Sequence, residues 1–184
     1  MQTQNTAKKN EVALAFIQHA RHFLKNEYLP KLENCLKILT DEQVWWRPNS
    51  ESNSIGNLCL HLSGNARQWI VSGLGGEVDV RTRQREFDQR GMISREELLT
   101  TLRQTLADVD CVLSNFQLER CLERLEIQKT EVTALEAIFH VTEHFSMHTG
   151  QIILLTKMLS QEDLRFYDFT NGAPVRAWLN EKSE

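Results

Sequence analysis

Chain breakers are scarce in this sequence. Its 184 residues include 8 Gly and 3 Pro, too few to punctuate many short strands, so long helices are favoured. Paired cysteines are missing as well. Cys35, Cys59, Cys111 and Cys121 are scattered without CxxC spacing, which excludes a zinc-thiolate centre and leaves structural, reduced thiols as the expectation. No apolar run approaches the ~20 residues that a membrane span needs. The longest purely aliphatic stretch, residues 152–155, is core-sized. The first ten residues are polar, so no secretory signal is expected and a cytoplasmic location is. A formal net charge of -4 argues against nucleic acid or an anionic membrane as a partner.

What is present is the composition of a globular protein. Hydrophobic residues make up 41% and charged residues 25%, which excludes a disordered chain. The length suits a single domain spanning residues 1–184.

Four amphipathic segments stand out. In residues 10–39, Val12, Phe16, Phe23, Leu24, Leu32, Leu36 and Leu39 recur at mostly helical steps, and Pro30 predicts a kink or break. Residues 53–72 follow, capped by Asn53 or Ser54; Ile55, Leu58, Leu62, Ala66 and Trp69 line one face, and Gly73, Gly75 and Gly76 stop it. Residues 73–93 read as a long loop, and its Arg81, Arg83, Arg85 and Arg90 read as a solvated loop rather than an anion site. The third segment opens with the capping box Ser94-Arg95-Glu96-Glu97 and continues through Phe116. Residues 117–130 read as either helix or a short extended piece around Leu125 and Ile127. The fourth segment, residues 133–159, opens with Thr133-Ala134-Leu135-Glu136. A tail with Phe166, Tyr167, Phe169 and Trp178 should fold back onto the bundle or into a partner. The expected fold is an all-α four-helix bundle with a long loop between helices two and three, long enough for a crossover.

The histidines carry the chemistry. His140, His144 and His148 follow one another at steps of four. A step of four turns a helical side chain by about 40° and lifts it about 6 Å, so adjacent members share a face. Two imidazoles so placed can reach one ion at ~2.0–2.1 Å, but three cannot, because the outer pair is about 12 Å apart along the axis. The row Ala137, Val141, His144, His148, Gln151, Leu155, Met158 alternates steps of three and four and should face the bundle interior, which favours His144 with His148 over His140 with His144. His61, beside Leu58 and Leu62 on the second segment, is the candidate third ligand from a facing helix; alone it would read as a satisfied core histidine. His19 and His22 read as surface or interface residues. The run His140-Val141-Thr142-Glu143-His144 matches the HxxEH zinc-peptidase pattern. Such peptidases are larger chains that take a further acidic ligand far downstream, whereas forty residues follow His144 here, mostly helix end and tail, which disfavours that reading.

Two strings resemble a known family. Asn57-Leu58-Cys59-Leu60-His61-Leu62-Ser63-Gly64-Asn65 is similar to the second-helix motif of the DinB/YfiT-like metalloenzymes, and His144-Phe145-Ser146-Met147-His148-Thr149-Gly150-Gln151-Ile152 to their fourth-helix motif. Trp45-Trp46-Arg47-Pro48 and residues 164–169 resemble the DUF1572-type branch. The resemblance covers nearly the whole chain. It implies a four-helix bundle, commonly a homodimer, with one divalent metal on His61, His144 and His148. It makes His140, Gln151 and Asn65 pocket or ligand-supporting residues, and lets Gly150 permit close helix approach. Zinc or nickel would suit such a site first, with iron, cobalt or manganese as alternatives. By the same resemblance the activity would be thiol transfer or hydrolysis on a small electrophile, with a low-molecular-weight thiol such as bacillithiol or mycothiol as cosubstrate. A non-catalytic metal-binding or stress-related protein is the other expectation, and a bundle with merely structural histidines the third.

Overall fold

The protein is seen here as a computed structural model, which describes residues 2–91, 93–170, 172–176 and 178. Met1 and residues 179–184, part of the expected single domain, lie outside the described residues. Four long helical runs form the core. The first comprises α1 (Gln2–His22), a π-helical turn (Phe23–Tyr28) and α2 (Leu29–Ile38). Pro30 sits at the second position of α2, and the run does not break there. The wider turn absorbs the proline: the Leu29 N–H reaches back five residues to the Leu24 carbonyl, giving room to a ring that would clash in a regular α-helix. The core line of the first run is Ala13, Ile17, Ala20 and Leu24, while Val12 is 66% exposed. The sequence pattern placed Val12 inward because bulky residues weigh most in a periodicity, yet small alanines carry the packed stripe.

Thr40 caps a short helix, α3 (Asp41–Trp45). Ser54 caps α4 (Ile55–Ala66) in a reciprocal box with Asn57, and a π-helical turn (Arg67–Ser72) completes the second run. The third run is α6 (Arg95–Ser114), capped by Ser94 and Glu97. The fourth is α7 (Ala134–Ser160), capped by Thr133 and Glu136. Each of the first two runs packs against both of the last two, so the cyclic order is one, three, two, four rather than simple up-and-down. Leu32, Leu36, Leu62, Leu98, Leu102, Ile138, Phe145 and Ile152 fill the centre. Among the described residues no helix is long and apolar enough to cross a membrane. Cys35, Cys59 and Cys121 are buried, and Cys111 is exposed; burial pushes the Cys35 thiol up to about 11, which leaves it inert.

Two small hairpins interrupt the all-α pattern. Strands β1 (Arg124–Ile127) and β2 (Thr130–Thr133) pair antiparallel around Gln128 and Lys129. Both turn residues have positive φ, 53° and 62°, as a type I′ turn requires. Neither is Gly, Asn or Asp, so the usual sequence signal for the hairpin is absent. In the tail, β3 (Tyr167–Asp168) pairs with β4 (Val175–Arg176) and folds back onto the first run. The buried Glu27 carboxylate accepts from Tyr167 Oη at 3.1 Å, from Lys31 at 3.3 Å and from Arg176. Burial pushes this carboxyl up, but its three donors outweigh that and hold it below the usual range. Trp178 and Tyr167 lie beside Lys31, whereas Phe169 faces solvent.

Within the interhelical segment 73–93, read from sequence as loop, lies one further helix, α5 (Arg83–Asp88). The Asn57 amide donates to the Glu86 and Gln89 carbonyls at 2.8 and 3.0 Å, and Trp45 Nε1 donates to Ile93 O at 2.8 Å. Gly56 leaves room for that indole, since a Cβ there would sit 2.8 Å from the ring. These contacts seat α5 against α4.

Candidate metal centre

Helix α4 presents His61 and helix α7 presents His144 and His148. Each offers one nitrogen, and the three nitrogens lie within 4.8 Å of one another. His61 Nε2 and His144 Nε2 are 3.0 Å apart. Two nitrogens held at ~2.0–2.1 Å from one ion, roughly at right angles, would be ~3 Å apart. The donor set therefore fits a divalent cation. His61 is 6% exposed and His144 8%; His148 is less buried and opens the cluster towards solvent.

The outer nitrogens are tied in the way a ligand set needs. His61 Nδ1 donates to Glu86 Oε2 at 2.8 Å, and Arg81 holds the same carboxylate through Nε at 2.7 Å and Nη2 at 2.9 Å. His148 Nδ1 donates to Gln151 Oε1 at 2.7 Å. Both bonds put the ring proton on Nδ1 and leave the Nε2 lone pair facing the cluster. His144 Nδ1 is buried without a partner. Burial pushes the Glu86 carboxyl up, but hydrogen bonds from Arg81 and His61 outweigh it and keep it ionised.

Two residues here escaped the sequence reading. Arg81 and Glu86 belong to the segment taken as a solvated loop, yet their side chains are 6% and 11% exposed. The signal that could have found them is Gly64, one helical turn after His61. A Cβ at Gly64 would lie 2.0 Å from Glu86 Oε1, so glycine is what lets the carboxylate reach the imidazole. A ligating histidine calls for such an outer acceptor.

The other candidates are arranged differently. His140 stands outside the cluster: its Nε2 accepts from Asn65 Nδ2 at 3.0 Å, and its ring lies on Trp69 with centroids 4.1 Å apart. Asn65 thus supports His140 rather than a ligand ring. The peptidase-like pair is not the one the fold assembles. Glu143 is exposed. Gly150 is exposed too, with nothing within 4 Å of a Cβ placed there; among the described residues no helix closes on it, because it lies on the outer face of α7. His19 and His22 stack near Phe23 at the surface.

Burial, aided by the charges of His148 and His61, pushes the His144 pKa down to about 3, and burial lowers those of His148 and His140 as well. His144 and His148 are thus in the neutral form that binds metal. A pH dependence follows. The unfolded chain protonates His144 near its ordinary value of 6.5, well before the folded state does, so stability is whole above that pH and drains as pH falls towards 3. In metal-free protein, the unfolding free energy is expected to fall between pH 6 and 4 more steeply than in His144→Gln, by up to one proton's worth, ~1.4 kcal/mol per pH unit. Urea titrations at stepped pH measure it; parallel profiles for the two proteins would refute a buried neutral His144.

Comparison with known proteins places the chain. The family profile described as "Protein of unknown function (DUF1572)" matches residues 11–173. The chain belongs to the DUF1572 family. Two crystal structures resemble this DUF1572 protein. A conserved protein from Enterococcus faecalis superposes with a TM-score of 0.68 at 15% identity, covering 79% of this chain and 97% of its own. A DinB-like protein from Bacillus cereus ATCC 10987 superposes with a TM-score of 0.58 at 17% identity, covering 72% and 86%. At such identities the likeness establishes a DinB-like fold. No curated protein gives a significant match.

Proposed function

We propose that this DUF1572 protein is a metalloenzyme that holds one divalent ion on His61, His144 and His148 and acts as a transferase or hydrolase on a small molecule. One observation carries the reading: three imidazole nitrogens from two helices converge within 4.8 Å, and two of the rings are turned by Glu86 and Gln151 so that Nε2 faces inward. Three protein ligands leave coordination positions open, the catalytic rather than the structural pattern. An ion there supplies Lewis acidity and lowers the pKa of a bound water or thiol. The chain's own part is to fix the imidazoles, pack Phe87 against His61, and leave the His148 side open. Zinc or nickel suits the all-nitrogen set, and a low-molecular-weight thiol suits the open position.

A homodimer belongs to this reading: α7 leaves Phe139, Met147, Leu154 and Met158 exposed along one face. So does a reducing, cytoplasmic compartment, which four free cysteines suit. The test is elemental analysis of untagged protein followed by assay of the loaded protein with small thiols and epoxide or haloalkyl electrophiles. One divalent ion per chain and chelator-sensitive turnover are expected. Protein that takes up no ion overturns the metal site; an ion without turnover over a broad panel overturns the enzyme and leaves a metal-binding protein.

A further inference from the structure

The segment that delivers Glu86 to His61 also delivers a guanidinium that, among the described residues, has no acidic partner. Arg83 opens α5, and its Cζ lies 4.7 Å over the Phe87 ring. Phe87 in turn lies against His61, ring centroids 4.7 Å apart. Two successive contacts therefore link the cation to a ring of the candidate centre.

Most other charges of the segment have partners. Arg81 holds Glu86. Glu77 pairs with Arg67. Asp79 accepts from Gln68 and Asp88 from Gln84. Arg90 donates to the Phe87 and Gln89 carbonyls. Arg85 makes no ion pair among the described residues either; it lines a cleft of about 380 Å³ with Gln68, Asp79, Thr82, Arg81 and Glu86. Among the described residues Arg83 has the face of Phe87 and no carboxylate. Stacking uses the flat face of a guanidinium and leaves the N–H donors on its edge available in a planar fork that matches a carboxylate.

Resting on the metal reading above, we propose that Arg83 is the anion-recognition residue of the site. Its ligand is then a small molecule that reaches the ion with one end and presents a carboxylate at the other. Phe87 is the apolar wall between the two ends, packed on His61 and carrying Arg83 at the rim. Arg83 is exposed, so the attraction is screened and its effect modest.

Cobalt-loaded protein tests this with two thiols of equal length, 4-mercaptobutyrate and 4-mercapto-1-butanol, titrated against the thiolate-to-cobalt absorption band. The acid is expected to bind roughly three- to tenfold more tightly than the alcohol at low ionic strength, with the advantage shrinking as salt is added. Arg83→Gln should abolish the advantage and leave the alcohol's affinity unchanged, and Arg85→Gln should preserve it. Equal affinities in the parent protein, or an advantage that survives Arg83→Gln, overturns the proposal. Cobalt that loads but gives no thiolate band also overturns it and leaves the metal site standing. Cobalt that fails to load removes the metal reading and this one together.

Discussion

His144→Ala is expected to abolish metal-dependent stabilisation, whereas His140→Ala is expected to keep it. His144 is shared by both ways of pairing histidines on α7, lies 3.0 Å from His61 Nε2, and is the most central of the three ligands. A ligand that binds only the native state adds about 2.7 kcal/mol at a hundredfold excess over its Kd. For a domain of this size that is a Tm rise of roughly 5–10 °C. Removing a direct ligand should weaken binding by more than the ~10–100-fold typical of an outer partner, so the rise vanishes at the same metal concentration. His140 is committed to Asn65 and Trp69, so its loss leaves the three nitrogens in place. Thermal melts with and without zinc, nickel or cobalt, read beside circular dichroism to verify folding, decide the matter. A shift lost in His140→Ala and kept in His148→Ala would move the site one turn along α7 and end the assignment made here.

Gly64→Ala is expected to weaken metal binding by ~10–100-fold without touching a ligand. Alanine is the better helix former by ~1 kcal/mol, so propensity alone would favour the change. Its Cβ, however, would occupy the position of the Glu86 carboxylate, 2.0 Å from Oε1 and 2.9 Å from Cδ. That carboxylate is pinned by Arg81 and His61 and cannot swing aside without giving up both bonds. His61 would then lose the acceptor that fixes its tautomer, and Arg81 its counter-charge. Glu86→Gln, which keeps the shape and removes the charge, should shift affinity in the same direction by a smaller factor. Competition with a chromophoric chelator gives both constants. Unchanged affinity in the two variants would show that Glu86 does not support the metal ligand.

Much of this architecture could be read along the chain because it is local. The boxes at Ser94 and Thr133 announce their helices, since a cap and its partner three residues on are sequence neighbours. The spacing of His144 and His148 puts two imidazoles on one face by helix geometry alone. Other features resisted for equally physical reasons. The turn at Gln128 and Lys129 adopts positive φ without the residues that favour it, so tertiary packing of Ile127 against Gly73 outweighs local preference. Val12 fits the apolar period but lies outward, because a π-helical turn and two alanines set the face of α1. Arg81 and Glu86 look like ordinary loop charges until α5 lays them against α4.

The helical runs, their caps and the two-histidine face of α7 are written in the order of the residues, since each depends on neighbours within one or two turns. That His61 meets that face, that Glu86 and Arg81 stand behind it, and that His140 turns to Asn65 and Trp69 instead emerges when the helices pack. Those contacts join residues 20 to 83 positions apart, and no local periodicity encodes which facing side chains a bundle will bring together.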